Sequence, residues 1–488
     1  MTFLEQLPAL TFQYASRKLN ITYEDNGDIA KYWLWDSYIP MGDAVSALDQ
    51  TVWTVYMPQQ AWGRQPQKIQ EVVADYVALT KNTGLHYGQA SILRNMTLRE
   101  ALFGYTDPFL QLLSDAAKVE GKVISPVFPG LLPNITSEQQ VFQKFQPIKA
   151  YTGKHTRYRA YEYTQWNGMA EMQCCATGPC KGFDPEGGQP TWNTVDANTV
   201  RGTTGTQFRQ NVKKGDSLFA FEDLLFRSVE LVNVNKQVIK HHAIDTLRFT
   251  LKETLLLNST ENPANAAYNM NGPSGLLNIS ACAQNAPVFV SKPHFLGGSS
   301  SLLGNVSGLS PPTLEQHDTV LDVEPITGST FYAHERLQVN TLVSNATKCI
   351  AGDFLTYKQV SCQPAARELF MPLVWVDRWA ELSNEDAMEF RKNIGTALEV
   401  SRDLSIALPV LASAALVAVC TMLFMMNTWA NKQQEHVLDP QDGICACCAP
   451  RPTAPLNGAD QGGYWNALGG DGYYPQQSVN SAPAGNVY

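Results

Sequence analysis

The sequence has little positive charge and only one long hydrophobic run, and each shortage narrows the range of functions. Its 36 Lys and Arg residues are outnumbered by 45 Asp and Glu residues, which gives a formal net charge of -9 at pH 7. A nucleic-acid-binding protein needs a basic surface to offset phosphate charge, so we expect no nucleic-acid partner. The mean hydropathy of -0.20 excludes a polytopic membrane protein, although one membrane segment is compatible with that average.

The motifs of the common enzyme classes are also missing. The sequence has no G-x-S-x-G, no H-E-x-x-H and no P-loop, so acyl hydrolysis, zinc proteolysis and nucleotide chemistry lack their usual geometry. His241 and His242 lie beside a predicted strand, where adjacent side chains point to opposite faces, so we do not expect them to share a metal ion. We therefore predict no enzymatic activity, no metal and no cofactor.

One apolar run divides the chain into three predicted regions. Residues 404–431 contain no charged residue, and a bilayer core of roughly 30 Å needs about 20 helical residues. A buried core helix is the alternative, but such helices seldom run this long without a polar face. We predict an extracytosolic domain over 1–403, a transmembrane helix over 404–431 and a cytoplasmic tail over 432–488. The tail has few aliphatic residues, so we expect it to be disordered.

Asparagine sequons indicate the orientation of this helix. Seven N-x-Ser/Thr sequons precede it and none follows, at Asn20, Asn95, Asn134, Asn258, Asn278, Asn305 and Asn345. Because such asparagines are glycosylated in secretory compartments, we predict that the N-terminal side is lumenal or extracellular. Arg391, Lys392 and Arg402 favour the opposite orientation, but long domains translocate largely regardless of charge. The first 30 residues show no basic segment followed by an apolar stretch, so we expect a truncated N-terminus.

Ten cysteines are distributed unevenly along the chain. Six lie among the sequons and are disulfide candidates, namely Cys174, Cys175, Cys180, Cys282, Cys349 and Cys362. Their connectivity cannot be deduced from sequence, and zinc is the alternative for the first three, although no second pair at ligand spacing follows them. Cys445, Cys447 and Cys448 follow the apolar run and are palmitoylation candidates, with unmodified thiols or zinc as alternatives.

Hydrophobic periodicity predicts a mainly β protein with a few inserted helices. The segments 10–14 and 20–23 have the composition of strands and precede a turn at 24–27. An amphipathic helix is predicted from Pro66 to about Leu79, and Thr97-Leu-Arg-Glu100 has the spacing of a capping box.

Further strands are predicted after residue 145, at 156–163, 247–251, 336–340 and 371–376. Many short strands separated by turns favour a barrel or sandwich. A last helix is predicted to begin at Ser383, with Glu385 and Asp386 in its first turn, and to lead into the membrane.

Several unbroken stretches carry a family resemblance, at 97–109, 227–228, 261–263, 275–280, 287–296, 317–328, 336–340 and 372–375. They resemble the class B scavenger receptors and occur in the order found in that family. This family includes the platelet fatty-acid translocase, the high-density-lipoprotein receptor and the lysosomal integral membrane receptor. The matching stretches cover roughly residues 10–430 and are specific to the family rather than to one member.

The resemblance implies an antiparallel β-barrel ectodomain, a helical cluster at its membrane-distal apex and a largely apolar tunnel toward the bilayer. It also implies two membrane anchors, of which only the second is in this sequence. Cys282 stands at a family disulfide position, but the family's partner positions fall at Phe226 and residues 267–269, which lack cysteine. The tail shows no acidic dileucine signal, which leaves the plasma membrane and the endolysosomal membrane both open.

On this resemblance we expect a receptor for lipids or lipoprotein particles that passes lipid through its tunnel. A protein-binding receptor or trafficking chaperone without lipid flux is the alternative, and a homo-oligomer is left open. Arg64, Lys68, Lys81 and Arg94 are the predicted contacts for anionic ligands near the apex. Glu71 and Asp75 are interleaved with these cations, and such mixtures are usually solvated faces.

Overall fold

The structure is a computed structural model of the whole chain. It describes residues 2–3, 6–58, 93–119, 125–128, 130, 132, 134–175, 178–180, 182, 184, 187–283, 286–304, 306–343, 348–351, 358–361, 369–435 and 484–487. The chain divides into two units, Met1–Asn384 with Ser481–Tyr488, and Glu385–Asn480. The first unit is mostly β with short helices, and the second contains one long apolar helix.

The strands are β1 Thr2–Phe3, β2 Leu10–Glu24, β3 Ile29–Pro40, β4 Thr51–Val55, β5 Leu93–Thr97, β6 Tyr105–Thr106, β7 Val127–Phe128, β8 Ile148–Tyr151, β9 Tyr163–Gln165, β10 Gln173–Cys175, β11 Gly178–Pro179, β12 Gln189–Pro190, β13 Ser217–Glu222, β14 Arg227–His241, β15 Ile244–Leu251, β16 Leu277–Asn278, β17 Val288–Ser291, β18 Val306–Ser307, β19 Val320–Val323, β20 Thr330–Val343, β21 Lys348–Ala351, β22 Lys358–Ser361, β23 Leu369–Glu381 and β24 Ala484–Val487.

The α-helices are Ala44–Ala47, Leu98–Phe103, Pro108–Val119, Glu138–Lys144, Val195–Asn198, Ser300–Gly304, Leu314–His317, Asn384–Phe390 and Thr396–Glu435. Single 3-10 turns are formed by Asp25–Gly27, Arg157–Arg159, Glu253–Leu256, Pro263–Tyr268, Ser280–Ala283 and Pro293–Phe295, and a π-helical turn by Arg391–Gly395.

One antiparallel sheet of thirteen strands dominates the first unit. Its main path runs β13-β14-β15-β19-β20-β23-β24-β2-β3-β8-β9, with β17 pairing to β20 and β16 to β17. The predicted strand at 247–251 is confirmed as part of β15, and Leu247, Phe249 and Leu251 are all buried. This alternation places one face of the strand in the largest core cluster, as a period of two requires.

A short connector brings the two ends of this sheet together. The Tyr163 N-H of β9 donates to the Gly202 carbonyl at 2.7 Å, and the Thr203 N-H donates to the Phe219 carbonyl of β13 at 2.9 Å. The N-H of Phe221 in turn donates to the Thr203 carbonyl at 2.9 Å. Among the described residues, β9 and β13 do not pair directly. The sheet therefore curls, and residues 202–203 bridge its edges.

The predicted strand at 156–163 is wrong for most of its length. Arg157–Arg159 form a 3-10 turn and Tyr161 has φ of +68°, so extended backbone begins only at Tyr163. The Arg159 guanidinium lies over the Tyr151 ring at 4.3 Å and donates to Glu162 at 3.0 Å. The alternating aromatic and basic residues therefore lie in a turn that the contacts of Arg159 stabilise, and sequence periodicity does not distinguish such a turn from a strand.

The helix predictions are confirmed where the structure describes them. Thr97 and Glu100 form the predicted capping box, and the helix ends before Gly104. The helix predicted from Ser383 begins at Asn384 and continues through the π-helical turn into the helix Thr396–Glu435. The predicted helix from Pro66 to about Leu79 lies outside the described residues.

The end of the chain conflicts with the predicted topology. β24 pairs with β2 and β23 in the first unit. A chain that crosses a membrane once through residues 404–431 would hold residues 484–487 on the opposite side from β2. This pairing and a single crossing therefore exclude each other. Residues 436–483 of the predicted disordered tail lie outside the described residues.

Candidate functional site

Arg378 is the centre of a charged cluster inside the curled sheet. It lies on β23 directly opposite Glu335 of β20 and donates to that carboxylate at 2.5 Å. It also donates to Glu222 of β13 at 3.0 Å and lies 3.6 Å from Asp223. Since β13 and β23 are separated by four strands along the sheet, this contact crosses the interior rather than following the sheet surface.

A second polar group lies on β2 and β3 beside this cluster. The hydroxyl of Tyr14 donates to Asp36 at 2.8 Å, and its ring lies 5.2 Å from that of Tyr38. Ser16 is directly opposite Asp36 in the register of the two strands, so it shares their face. Ser16 is exposed and Tyr14, Asp36 and Tyr38 are half-buried, although the charges of Arg378 and Asp223 act on Asp36.

The pKa shifts follow from these surroundings. Burial raises the pKa of Glu222 well above its ordinary value, and the negative charge of Glu335 raises it further. Burial also raises the pKa of Asp36, against its hydrogen bonds from Ser16 and Tyr14. Burial alone would lower the pKa of Arg378, but Glu335, Glu222 and Asp223 hold it well above its ordinary value. The arginine is therefore permanently charged, while part of the acidic cluster favours its protonated form.

The polar groups of this cluster are already paired with one another. The carboxylates of Glu222 and Glu335 are occupied by Arg378, and Asp36 by Tyr14. Among the described residues, no group of three or more His, Cys, Asp or Glu side chains could hold a metal ion. The interior is therefore polar at this level, whereas the family resemblance implies a largely apolar tunnel.

Two buried aspartates, Asp322 on β19 and Asp377 on β23, lie on the face of the sheet opposite to Arg378. Asp322 is fully buried and accepts two bonds from Arg248, both at 2.7 Å, and one from His241 at 2.7 Å. Asp377 accepts from Arg336 at 3.0 Å and from His334 at 2.9 Å. Each aspartate thus has one arginine and one histidine, which satisfies its buried charge. This pairing indicates a structural role.

The turn after β19 explains the strongest stretch of family resemblance. The Glu324 carboxylate accepts from the N-H groups of Ile326 at 3.0 Å and Thr327 at 2.7 Å. Gly328 has φ of +78°, and a Cβ atom there would lie 2.3 Å from the Arg209 carbonyl oxygen. Only glycine fits this turn. The residues of this turn therefore have a structural role.

His294 and His317 form a buried pair. Their ring centroids are 4.3 Å apart. The Thr313 N-H donates to Nδ1 of His317 at 2.9 Å, and Nδ1 of His294 lies 2.9 Å from the Ser310 carbonyl. Burial lowers the pKa of His317, and the neighbouring His294 lowers it further. His317 therefore favours its neutral form.

Arg94 is the one predicted ligand contact that the structure describes. Its guanidinium donates to Asp107 at 2.6 Å and lies over the rings of Tyr105 and Tyr56, at 4.7 and 5.3 Å. The same buried Asp107 accepts from the Tyr56 hydroxyl at 2.7 Å. These contacts satisfy the charge of Arg94 within the fold and favour a structural role. Arg64, Lys68 and Lys81 lie outside the described residues.

The structure assigns partners to four of the six predicted disulfide cysteines. Cys174 is bonded to Cys282 and Cys175 to Cys180, with Cα atoms 4.9 and 5.1 Å apart. Cys282 thus has a different partner from the positions that the family resemblance implies. Cys349 lies on β21, where only the backbone is described. Cys362 and the palmitoylation candidates Cys445, Cys447 and Cys448 lie outside the described residues.

Five of the seven predicted glycosylation sites are described. Asn20, Asn95, Asn134 and Asn278 are exposed. Asn258 is half-buried, and its side chain donates to Glu261 at 3.0 Å and accepts from the Thr260 N-H at 3.0 Å. Asn305 and Asn345 lie outside the described residues.

One described helix is long and apolar enough to cross a membrane. It covers Asp403–Lys432 with a mean hydropathy of 2.4 over its most apolar stretch, none of which is buried. These bounds differ by one residue at each end from the predicted 404–431.

The Arg378 cluster was missed at the sequence level. One signal was available, because Asp377 and Arg378 interrupt an otherwise apolar strand in Met371-Pro-Leu-Val-Trp-Val-Asp-Arg-Trp379. A charged pair in such a strand indicates buried partners. Those partners could not be identified, because Glu222 is 156 residues away in the chain.

The sequence matches the CD36 family over residues 4–424. It is 25% identical to rat scavenger receptor class B member 1 over 388 residues, which cover 74% of this chain and 63% of the receptor. It is 27% identical to the mouse receptor of the same name over 307 residues, 62% of this chain and 52% of the receptor. Rat lysosome membrane protein 2 is 23% identical over 407 residues, 82% of this chain and 74% of that protein.

The chain thus spans less than two thirds of the length of these two scavenger receptors. The relatives bear the names of receptors and of a membrane protein, not of enzymes. The family match covers every strand of the curled sheet except β24, together with most of the apolar helix, and it includes the strands of the Arg378 cluster. The chain is a member of the CD36 family.

Proposed function

We propose that this protein is a membrane-anchored receptor for lipids or lipoprotein particles, and that lipid passes through the interior of its curled sheet toward the bilayer. The observation that carries the proposal is the contact of Arg378 with Glu222, which joins two distant strands across the interior. Arg378 is 25% exposed, so accessible space remains beside it. In this proposal the sheet is a closed barrel: residues 202–203 complete its seam between β9 and β13, and β2 and β23 close against each other without β24, because a single membrane crossing excludes that strand.

The physical benefit of such a passage is the removal of a solvation barrier. Each CH₂ group of a lipid that crosses water costs about 0.8 kcal/mol. A protein interior that encloses the chain lowers this cost, and flow then follows the lipid's own gradient without a catalytic residue. A lipid with a polar headgroup could contact the charged cluster as it passes. Any other lipid would have to pass beside the cluster.

The helix Asp403–Lys432 would anchor the receptor, with residues 1–403 on the lumenal or extracellular side. The exposure of four described sequons supports this orientation, because an attached glycan requires room. The proposal includes both the plasma membrane and the endolysosomal membrane as locations, because the chain is similar to a scavenger receptor and also to a lysosome membrane protein.

The test is lipid uptake by cells that express the chain, with a steric block inside the passage. Ser16 faces the interior beside Asp36, whereas the adjacent Arg17 points to the other face of β2. We expect Ser16→Trp to reduce uptake of a fluorescent lipid from lipoprotein particles several-fold without changing particle binding. Arg17→Trp is the matched control and should leave both quantities unchanged.

Equal uptake by Ser16→Trp and the wild type would contradict the interior route. Tight binding of a soluble protein together with no lipid uptake by the wild type would support the alternative, a carrier for a protein partner. The similarity to lysosome membrane protein 2 over 82% of the chain is the observation that favours this second candidate.

A further inference from the structure

Trp53 is a large aromatic residue whose exposure is not explained by the fold. It lies in the middle of β4, yet 71% of its surface is exposed. The adjoining hairpin positions Val55 and Met96 are buried at 3% and 6%, so the hairpin itself is well packed. An indole is a strongly apolar surface, and leaving one in water has a cost that a covering group would remove.

The strand register places a glycosylation sequon directly opposite this residue. β4 and β5 pair antiparallel, with Trp53 opposite Asn95. Directly opposed residues project from the same face of a hairpin, with Cβ atoms about 5 Å apart. Asn95 is exposed and begins the sequon Asn95-Met96-Thr97. A sugar attached to Asn95 would therefore begin within reach of the indole ring.

The other described sequons lack this arrangement. Asn20 lies in a bulge where the register of β2 and β3 breaks, so it has no directly opposed residue. Asn278 is opposite Phe289, which is only 9% exposed and belongs to a core cluster. Asn134 and Asn258 lie outside the strands. Within the described ranges, only Asn95 is paired with an exposed aromatic side chain.

We propose that the N-linked glycan on Asn95 packs its first sugar ring against the face of Trp53. A pyranose ring presents C-H groups on its flatter face, and these are attracted to the electron-rich face of an indole. The contact covers the apolar surface of Trp53 and holds the glycan against the hairpin. The inference depends on the lumenal orientation proposed above but not on lipid transport.

The contact between the glycan and Trp53 would also affect the stability of the strand pair β4–β5. β4 and β5 flank residues 59–92, which include three of the predicted ligand contacts, Arg64, Lys68 and Lys81. A glycan that contacts both strands would stabilise the pairing of β4 with β5. Thr97 closes the sequon and also caps the helix Leu98–Phe103, so a change at Thr97 would confound the two effects.

The test is the rate at which a glycosidase removes each glycan from the native full-length protein. Site-resolved mass spectrometry would follow release at Asn95 and at the exposed Asn134, which serves as the internal control. We expect Trp53→Ile, which keeps a high strand propensity, to speed release at Asn95 by about threefold and to leave Asn134 unchanged. Trp53→Tyr retains an aromatic face and should release at close to the wild-type rate.

Tyr158→Ala is the matched control, because Tyr158 is also 71% exposed but lies in a 3-10 turn without a sequon opposite. It should alter neither rate. An unoccupied Asn95, an unchanged release rate in Trp53→Ile, or equal acceleration at Asn134 would each overturn the proposal. A protein that carries no glycan at any site would instead contradict the lumenal orientation on which both proposals depend.

Discussion

At the scale of single residues, Glu222 should make stability depend on pH. Its pKa is raised by burial and by Glu335, so the folded protein binds this proton more tightly than the unfolded chain. The free energy of unfolding therefore falls as pH rises above the ordinary value of 4.5 toward the raised value. We expect Glu222→Gln to flatten this decline, as measured by chemical denaturation between pH 4.5 and 8.

Glu230→Gln provides the comparison, because hydrogen bonds with Lys252 and Ser217 lower the pKa of Glu230. Its contribution to stability is present above the ordinary pKa and is lost as the pH falls. Between pH 4.5 and 8 the stability of Glu230→Gln should therefore decline as steeply as that of the wild type, and the slopes of the two profiles should differ only below pH 4.5. Parallel profiles for Glu222→Gln and the wild type would show that the carboxylate titrates normally.

Gly202 at the sheet seam is another residue whose identity the fold requires. It has φ of +91°, and a Cβ atom there would lie 2.7 Å from the Phe219 carbonyl. We expect Gly202→Ala to reduce the free energy of unfolding by roughly 3 kcal/mol, since both backbone strain and a collision with β13 contribute. Gly182 has a similar φ of +84° but open space around it.

Gly182→Ala therefore isolates the strain and should cost about 1 kcal/mol. Thermal unfolding of the two variants measures the difference. Equal effects of Gly202→Ala and Gly182→Ala would mean that the connector does not hold the two edges of the sheet together.

At the scale of elements, the two disulfides should contribute different amounts to the free energy of unfolding, because they close loops of different length. Cys174 and Cys282 are 108 residues apart, whereas Cys175 and Cys180 are five apart. Loop-closure entropy gives roughly 4.7 kcal/mol for a 100-residue loop and about 3 kcal/mol for a 15-residue loop. Replacing both members of the long-range pair by Ala should therefore lower the midpoint of urea unfolding more than replacing the short-range pair.

The elements also show what could be predicted from the sequence. The predictions of the capping box at Thr97 and of the strand at 247–251 were correct. The capping box depends on local hydrogen bonds, and the strand on a simple alternation of apolar and polar residues. The strand predicted at 156–163 was wrong because Arg157–Arg159 form a 3-10 turn in which Arg159 contacts Tyr151 and Glu162. The Cys174–Cys282 pair and the Glu222–Arg378 contact could not be identified, since six cysteines allow 15 connectivities and the curl of the sheet is not a local property.

At the scale of the whole molecule, the position of the C-terminus decides between two topologies. If the helix Asp403–Lys432 crosses the bilayer, residues 436–488 lie on the other side from the sheet, and β24 cannot form between β2 and β23. We expect that deletion of 436–488 leaves the unfolding temperature of the detergent-solubilised protein unchanged. The polar tail buries too little apolar surface to stabilise a distant domain.

Val487→Pro in the full-length chain separates pairing from other effects of the tail. Val487 is opposite Leu10 on one side and Val376 on the other. Proline removes the N-H group needed for a central strand, so it would destabilise the sheet only if β24 is inserted there. A lower unfolding temperature for both the deletion and Val487→Pro would place the C-terminus in the sheet and contradict the membrane crossing; unchanged stability of both variants would agree with one helix separating the receptor domain from its tail.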